Sequence, residues 1–156
     1  MVWRVKDLQE VIELCVVDYH YAQVGRDAEG QPQWGLQFTT SDEVAACSPD
    51  PVMKARFLKD LYAKAVPGYT GSATVPLLWD RQTNTIVNND SQSLMQILDS
   101  GFGKLANNSV NLHPDDLKEE MEKSIKWGLH SIMGASRLAG TATTQEDCTC
   151  SWDPRR

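Results

Sequence analysis

The chain has 156 residues, 41% of them hydrophobic, and a formal net charge of −6. That is enough chain for one domain with a core and too apolar for a disordered segment. The acidic balance argues against nucleic acid, whose partners present a basic face. No apolar run approaches the roughly 18 residues that span a bilayer, so no membrane partner is expected either.

The opening "MVWRVKDLQE" is amphipathic and mixed in charge, unlike a secretory signal, and residues 3–10 read as the end of a helix. "VIELCVVDYHY" (Val11–Tyr21) is rich in β-branched and aromatic residues and predicts a strand. "GRDAEGQPQWG" is turn-rich and reads as loop, continuing through "TTSDEVAACSPDP", where Pro49 and Pro51 act as breakers. "VMKARFLKDLYAKA" (Val52–Ala65) predicts a helix with Val52, Phe57, Leu58, Leu61 and Tyr62 roughly on one face. Pro67 and Gly68 end it.

"TVPLLWDRQTNTIVNND" (Thr74–Asp90) predicts a hairpin. Val75, Leu77, Leu78 and Trp79 supply one strand, "DRQTN" the turn, and Thr85, Ile86 and Val87 the other strand. "SLMQILDSGF" (Ser93–Phe102) predicts a helix striped by Leu94, Ile97 and Leu98, with Asp90 or Ser91 as its N-cap. After a linker, Pro114–Met133 predicts a long helix. Pro114 suits its first position, Asp115 and Asp116 suit the positive end of the dipole, and Leu117, Met121, Ile125, Leu129 and Ile132 form its apolar face. The tail "TATTQEDCTCSWDPRR" has no periodicity and reads as frayed. The order α-β-α-β-β-α predicts an α/β protein whose sheet has mixed strand direction.

Cys15, Cys47, Cys148 and Cys150 show no paired spacing with His20, His113 or His130, so no metal site is expected. Free thiols predict a reducing, cytoplasmic setting.

The hairpin raises a functional question. A cis Val75-Pro76 bond would turn the N–H and C=O of Val75 outward, where an extended peptide can pair with them as an added strand. Asp90 and Ser91 sit at a helix N-terminus, which attracts a carboxylate, while Asp90 suits an ammonium. Glutathione has an α-amino acid end and a peptide-like middle, and fits both. The plain alternative is an edge-strand proline beside an ordinary helix cap.

The stretch Phe57–Leu98, "FLKDLYAKAVPGYTGSATVPLLWDRQTNTIVNNDSQSLMQIL", resembles the glutathionyl-hydroquinone reductases, relatives of the omega-class glutathione transferases. "VIELCVVDY" is similar to the family's second strand and "GQPQWGLQF" to its Gly-Trp-x-Phe loop. "HPDDL", "KWGLHSI" and "AGTATTQED" are similar to the start of its helical second domain. The resemblance runs from about residue 3 to 147. It implies a fold of α/β class, an incomplete thioredoxin-like domain that binds glutathione (1–104), then a linker (105–111). The start of an all-helical glutathione-transferase C-terminal domain (112–147) and an irregular tail (148–156) follow.

The resemblance also implies roles. Val75 would pair with the cysteinyl backbone of glutathione, Pro76 would be the cis proline, and Asp90 and Ser91 would hold the γ-glutamyl end. Lys59 falls where many members carry a basic residue near the ligand; a solvated helix face is the alternative. Glutathione is the implied co-substrate, and a quinone-type or other electrophilic small molecule the implied second partner. The family is often dimeric, which makes a homodimer an expectation. Its reaction uses a thiolate in a Cys-Pro-Trp motif before the first helix. That thiolate attacks the sulfur of a glutathionyl-hydroquinone and frees the hydroquinone, and a second glutathione resolves the mixed disulfide. Aligned through Lys6, Leu8, Val11 and Ile12, Met1 falls inside that first helix. This implies a chain truncated at both ends that lacks the motif and the strand before it.

Val11–Tyr21 would then lack a neighbour on one side, and low stability or aggregation would follow. None of the four cysteines has an evident activating setting. The family's "NNGVYK" tyrosine falls at Arg137 within "MGASRL", and past Asp147 the resemblance stops at "CTCSWDPRR", which reads as a shifted frame or read-through. Two readings follow: a reductase-like protein inactive as given, or a non-catalytic remnant that keeps a glutathione-like or protein-binding surface. An unrelated α/β binding domain is the third.

Overall fold

The structure, a computed structural model, describes residues 1–144. Cys148, Cys150 and the tail 148–156 lie outside the described residues. The chain divides into two compact units, Met1–Val110 and a second that begins at Asn111.

The first unit opens with a short helix α1 (Val2–Val5) and a 3-10 turn (Leu8–Glu10). Strands β1 (Ala22–Arg26) and β2 (Pro32–Gly35) form an antiparallel ladder. Helix α2 (Leu58–Ala65) follows, then the antiparallel pair β3 (Leu78–Asp80) and β4 (Thr85–Asn88), and helix α3 (Ser91–Ser100). The two ladders are separate two-stranded sheets, not one mixed sheet.

Three expectations are corrected here. The segment Val11–Tyr21 forms no strand, because no ladder runs beside it among the described residues. Its backbone is held at isolated points instead: Ser48 N–H donates to the Val16 carbonyl, and Asp18 N–H donates to the Gln37 carbonyl. Leu14, Tyr19 and Tyr21 stay exposed, while Val17 packs on the core.

The turn-rich stretch "GRDAEGQPQWG" is not a loop throughout but carries the β1–β2 hairpin. The Asp27 carboxylate accepts the amides of Glu29 and Gln31, and Gly30 supplies φ +80. That is an Asx-type turn completed by a left-handed glycine.

The helix expected from Val52 begins only at Leu58. The buried Asp50 carboxylate accepts the amides of Val52, Met53 and Ala55, and Lys54 sits at φ +60. The carboxylate offers these amides an alternative to helical bonds, and the left-handed residue breaks the helical path. Leu58 N–H then donates to the Leu36 carbonyl and Phe38 N–H to the Arg56 carbonyl, which fixes α2 to the end of the first hairpin.

The core gathers where these elements meet. Leu36, Leu58, Leu61 and Tyr62 are buried together, with Val17, Phe38, Val52, Ala73, Leu77, Trp79 and Ile86 packed around them. Of the expected face, Leu58, Leu61 and Tyr62 are thus buried on α2, while Val52 and Phe57 lie before its first turn.

In the second unit, a 3-10 turn (Asp115–Leu117) leads into α4 (Lys118–Gly128), a π-helical turn (Leu129–Gly134) and α5 (Ala135–Thr141). The helical path therefore extends past the expected end at Met133. No helix among the described residues is long and apolar enough to cross a membrane.

Candidate functional site: the second hairpin and the head of helix α3

The Val75-Pro76 bond is cis. Val75 is 47% exposed, and it precedes the first ladder residue of β3, Leu78, which pairs with Asn88. On the other arm, β4 ends at Asn88 and α3 starts at Ser91, with Asp90 as N-cap in an extended conformation. Both arms therefore leave the ladder at the same end.

Asp90 caps α3 in full: its Oδ1 accepts from Ser93 N–H at 2.8 Å and from Ser93 Oγ at 2.7 Å. Asp90 N–H itself donates to Asn88 Oδ1 at 2.7 Å. The Ser93 hydroxyl and then its amide hold the Asp90 carboxyl below the usual carboxylate range, against a smaller opposing effect of desolvation. Asp90 is therefore an anion at neutral pH, placed on an exposed helix head that also carries Ser91.

The two arms meet through Thr74 and Asn89, which sequence reasoning did not single out, and through Tyr62, which it read only as part of an apolar helix face. Tyr62, 3% exposed, donates its hydroxyl proton to the Thr74 carbonyl at 2.7 Å. The same oxygen accepts from Thr74 N–H at 3.3 Å and from Asn89 Nδ2 at 3.0 Å. Asn89 Nδ2 also donates to Thr74 Oγ1 at 3.3 Å. Thr74 and Asn89 are the immediate neighbours of Val75 and Asp90, so the expected clamp residues stand at one place. The only sequence signal for this hub was a tyrosine on the buried face of α2, which packing alone explains.

Lys59 is half-buried on α2 and points to the first hairpin. Its Nζ lies 3.0 Å from where a Cβ on Gly25 would stand. Gly25 is also where the β1–β2 register shifts, so the missing side chain leaves room for the ammonium.

The thiols have the opposite setting from a nucleophile. Cys15 is raised above its ordinary pKa by burial, with Asp50 and Glu13 adding to the rise and the Ser48 hydroxyl opposing it. Cys47, 4% exposed, is raised by burial and by Asp18. Among the described residues no group of three or more His, Cys, Asp or Glu side chains is placed to hold a metal.

No protein-family model matches the chain. A glutathionyl-hydroquinone reductase of Sphingobium chlorophenolicum is 30% identical over 141 residues, which cover 90% of this chain and 41% of that protein. Among solved structures, a Xi class glutathione transferase from Natrialba magadii superposes with a TM-score of 0.80 at 33% identity, over 96% of this chain and 42% of that one. A glutathione-bound transferase homolog from Escherichia coli K-12 superposes with a TM-score of 0.79 at 26% identity, over 96% of this chain and 45% of that one. The chain thus spans less than half the length of each of these proteins. The first unit has the fold of part of the thioredoxin-like domain of such transferases, and the second that of the start of their helical domain. Over nearly its whole length the chain is thus similar to the glutathionyl-hydroquinone reductases and the Xi class glutathione transferases.

Proposed function

We propose that the chain binds glutathione at the cis Val75-Pro76 bend and the head of α3. The N–H and C=O of Val75 pair with the cysteinyl backbone, as an added strand pairs with a free edge. Asp90 receives the ammonium of the γ-glutamyl end, and the Ser91 hydroxyl with the first-turn amides of α3 receives its carboxylate. The observation that carries this reading is the junction of the two arms at Tyr62, Thr74 and Asn89, which joins the residue before the exposed Val75 to the residue before the anionic Asp90. Lys59 has a lesser role: held near Gly25, it contributes long-range attraction to an anionic ligand.

Glutathione-dependent reduction of a glutathionyl-hydroquinone, or transfer to another quinone-type electrophile, is the activity we assign to the complete family architecture. In this chain the described thiols do not supply the nucleophile, because burial raises both. The chain is therefore expected to hold glutathione without turnover through Cys15 or Cys47. A cytoplasmic, reducing setting suits both the free thiols and the ligand.

Titration of the chain with reduced glutathione, followed by amide NMR, tests this. Shifts should concentrate at Val75, Ser91 and Gln92, and Asp90→Ala should weaken binding about tenfold, the scale of one lost charge-assisted hydrogen bond. Shifts scattered over the surface, or an Asp90→Ala variant with unchanged affinity, would overturn the reading.

A further inference from the structure

Tyr62 lies on a buried helix face and is only 3% exposed, yet its hydroxyl makes as many bonds as a hydroxyl can. It donates once, to the Thr74 carbonyl, and accepts twice, from the Thr74 amide and Asn89 Nδ2. The ladder of the second hairpin ends at Leu78 and Asn88. Beyond that pair, the hydrogen bonds that join the two departing arms among the described residues are those through Tyr62 Oη and the bond from Asn89 Nδ2 to Thr74 Oγ1. Leu61 and Leu58 anchor the same helix turn in the core, so the hydroxyl is a fixed point and not a mobile tether. The ring of Tyr69 lies 5.1 Å away, centroid to centroid.

We infer that Tyr62 is a positioning residue that sets the separation between the cysteinyl pairing edge at Val75 and the glutamyl-binding head of α3, with Asn89 as its partner. This rests on the proposed glutathione site. The physical consequence is a specificity ruler. A ligand that touches only one arm gains nothing from the spacing, whereas one that spans both gains the full advantage of two contacts already held apart at its own length. Loss of the hydroxyl leaves the Thr74 amide and carbonyl and the Asn89 amide without that partner, and the two arms shift independently.

The test compares Tyr62→Phe with the unaltered chain against three ligands by amide NMR titration: glutathione, γ-glutamylmethylamide, and N-acetyl-cysteinylglycine. The variant should weaken glutathione about tenfold, the scale of one or two lost buried hydrogen bonds, and leave each single-arm ligand within about twofold. Hydrogen exchange at the Thr74 amide should speed up while the amides of α2 keep their protection. Asn89→Ala, an exposed change, should give the same pattern at about threefold, and it carries the comparison if Tyr62→Phe does not fold. Equal weakening of all three ligands would reduce Tyr62 to a purely structural residue, and an unchanged glutathione affinity would remove the ruler. Failure of the unaltered chain to bind glutathione at all would instead sink the functional reading beneath it.

Discussion

Lys6 Nζ lies 3.0 Å from Asp99 Oδ1, with the two side chains 3% and 5% exposed. The ammonium also donates to the Val110 carbonyl at 2.7 Å, and the Lys6 carbonyl accepts the Asn107 amide. One lysine near the start of the chain thus fastens the last turn of α3 and the segment that ends the first unit. The two ions offset each other's desolvation, so removal of Lys6 takes the ammonium away from a buried carboxylate. Lys6→Met should cost about 3–5 kcal/mol. Urea unfolding followed through the amide signals of α3 measures it, and an unchanged midpoint would mean that the pair contributes nothing.

The Asp90 cap gives a pH-dependent prediction. Its carboxyl is held below the ordinary value by the Ser93 bonds. A depressed folded value means that the folded state binds the proton less readily than the unfolded one. The stabilisation is therefore present in full above the unfolded value, about 3.9, and is lost as pH falls through the lower folded value. The difference in melting temperature between the unaltered chain and Asp90→Ala should hold steady from pH 8 to about pH 5 and shrink below about pH 4. A gap that stays constant down to pH 2.5 would show that the cap does not depend on the charge.

Two glycines should respond differently to alanine. At Gly101 a Cβ would meet the Ile97 carbonyl oxygen at 2.6 Å, a backbone atom that cannot swing away. Crowding of this kind costs about 1–3 kcal/mol, and the restricted unfolded chain returns up to about 1 kcal/mol. At Gly25 the nearest atom is the flexible end of Lys59, 3.0 Å away. Gly101→Ala should therefore lose about 1 kcal/mol or more, while Gly25→Ala stays within about 0.5 kcal/mol and displaces the Lys59 ammonium, visible in its side-chain NMR signals. A reversed order in denaturant midpoints would contradict the packing at both sites.

What was legible in the sequence follows the range of the forces involved. The head of α3 was legible because Asp90, Ser93 and the stripe through Leu94 and Leu98 act within two turns. The second hairpin was legible for the same reason, although its first strand runs from Leu78 to Asp80 and leaves out the expected Val75 and Leu77. Val11–Tyr21 misled because β-branched composition records a preference for extended backbone, not the presence of a ladder partner. The first hairpin was hidden because Gly25 and Pro32 weaken its strand pattern, although the Asp27–Gly30 turn was a signal in plain view. Val52–Arg56 misled because the competing acceptor, Asp50, lies before the apparent helix. The Tyr62 hub depends on partners 12 and 27 residues away, which no local pattern encodes.

The thiols close the functional argument. Cys15 takes a hydrogen bond from Ser48 Oγ at 3.3 Å and lies near the Ser48 and Pro49 carbonyls, while Cys47 is buried against the Val17 carbonyl. Burial leads the rise in both pKa values, and the charged groups that act on them are carboxylates, which favour the thiol over the thiolate. A group with a raised pKa holds less thiolate than free cysteine at every pH below that value, and the thiolate is the reactive form. Alkylation by iodoacetamide, mapped to each cysteine by peptide mass, should therefore be slower at both sites than for free cysteine at pH 7.5. The rate against pH should rise with a midpoint above the ordinary value of about 8.5. A midpoint below about 7.5 at either site would identify an activated thiol, and the proposal that neither Cys15 nor Cys47 is a nucleophile would fall with it.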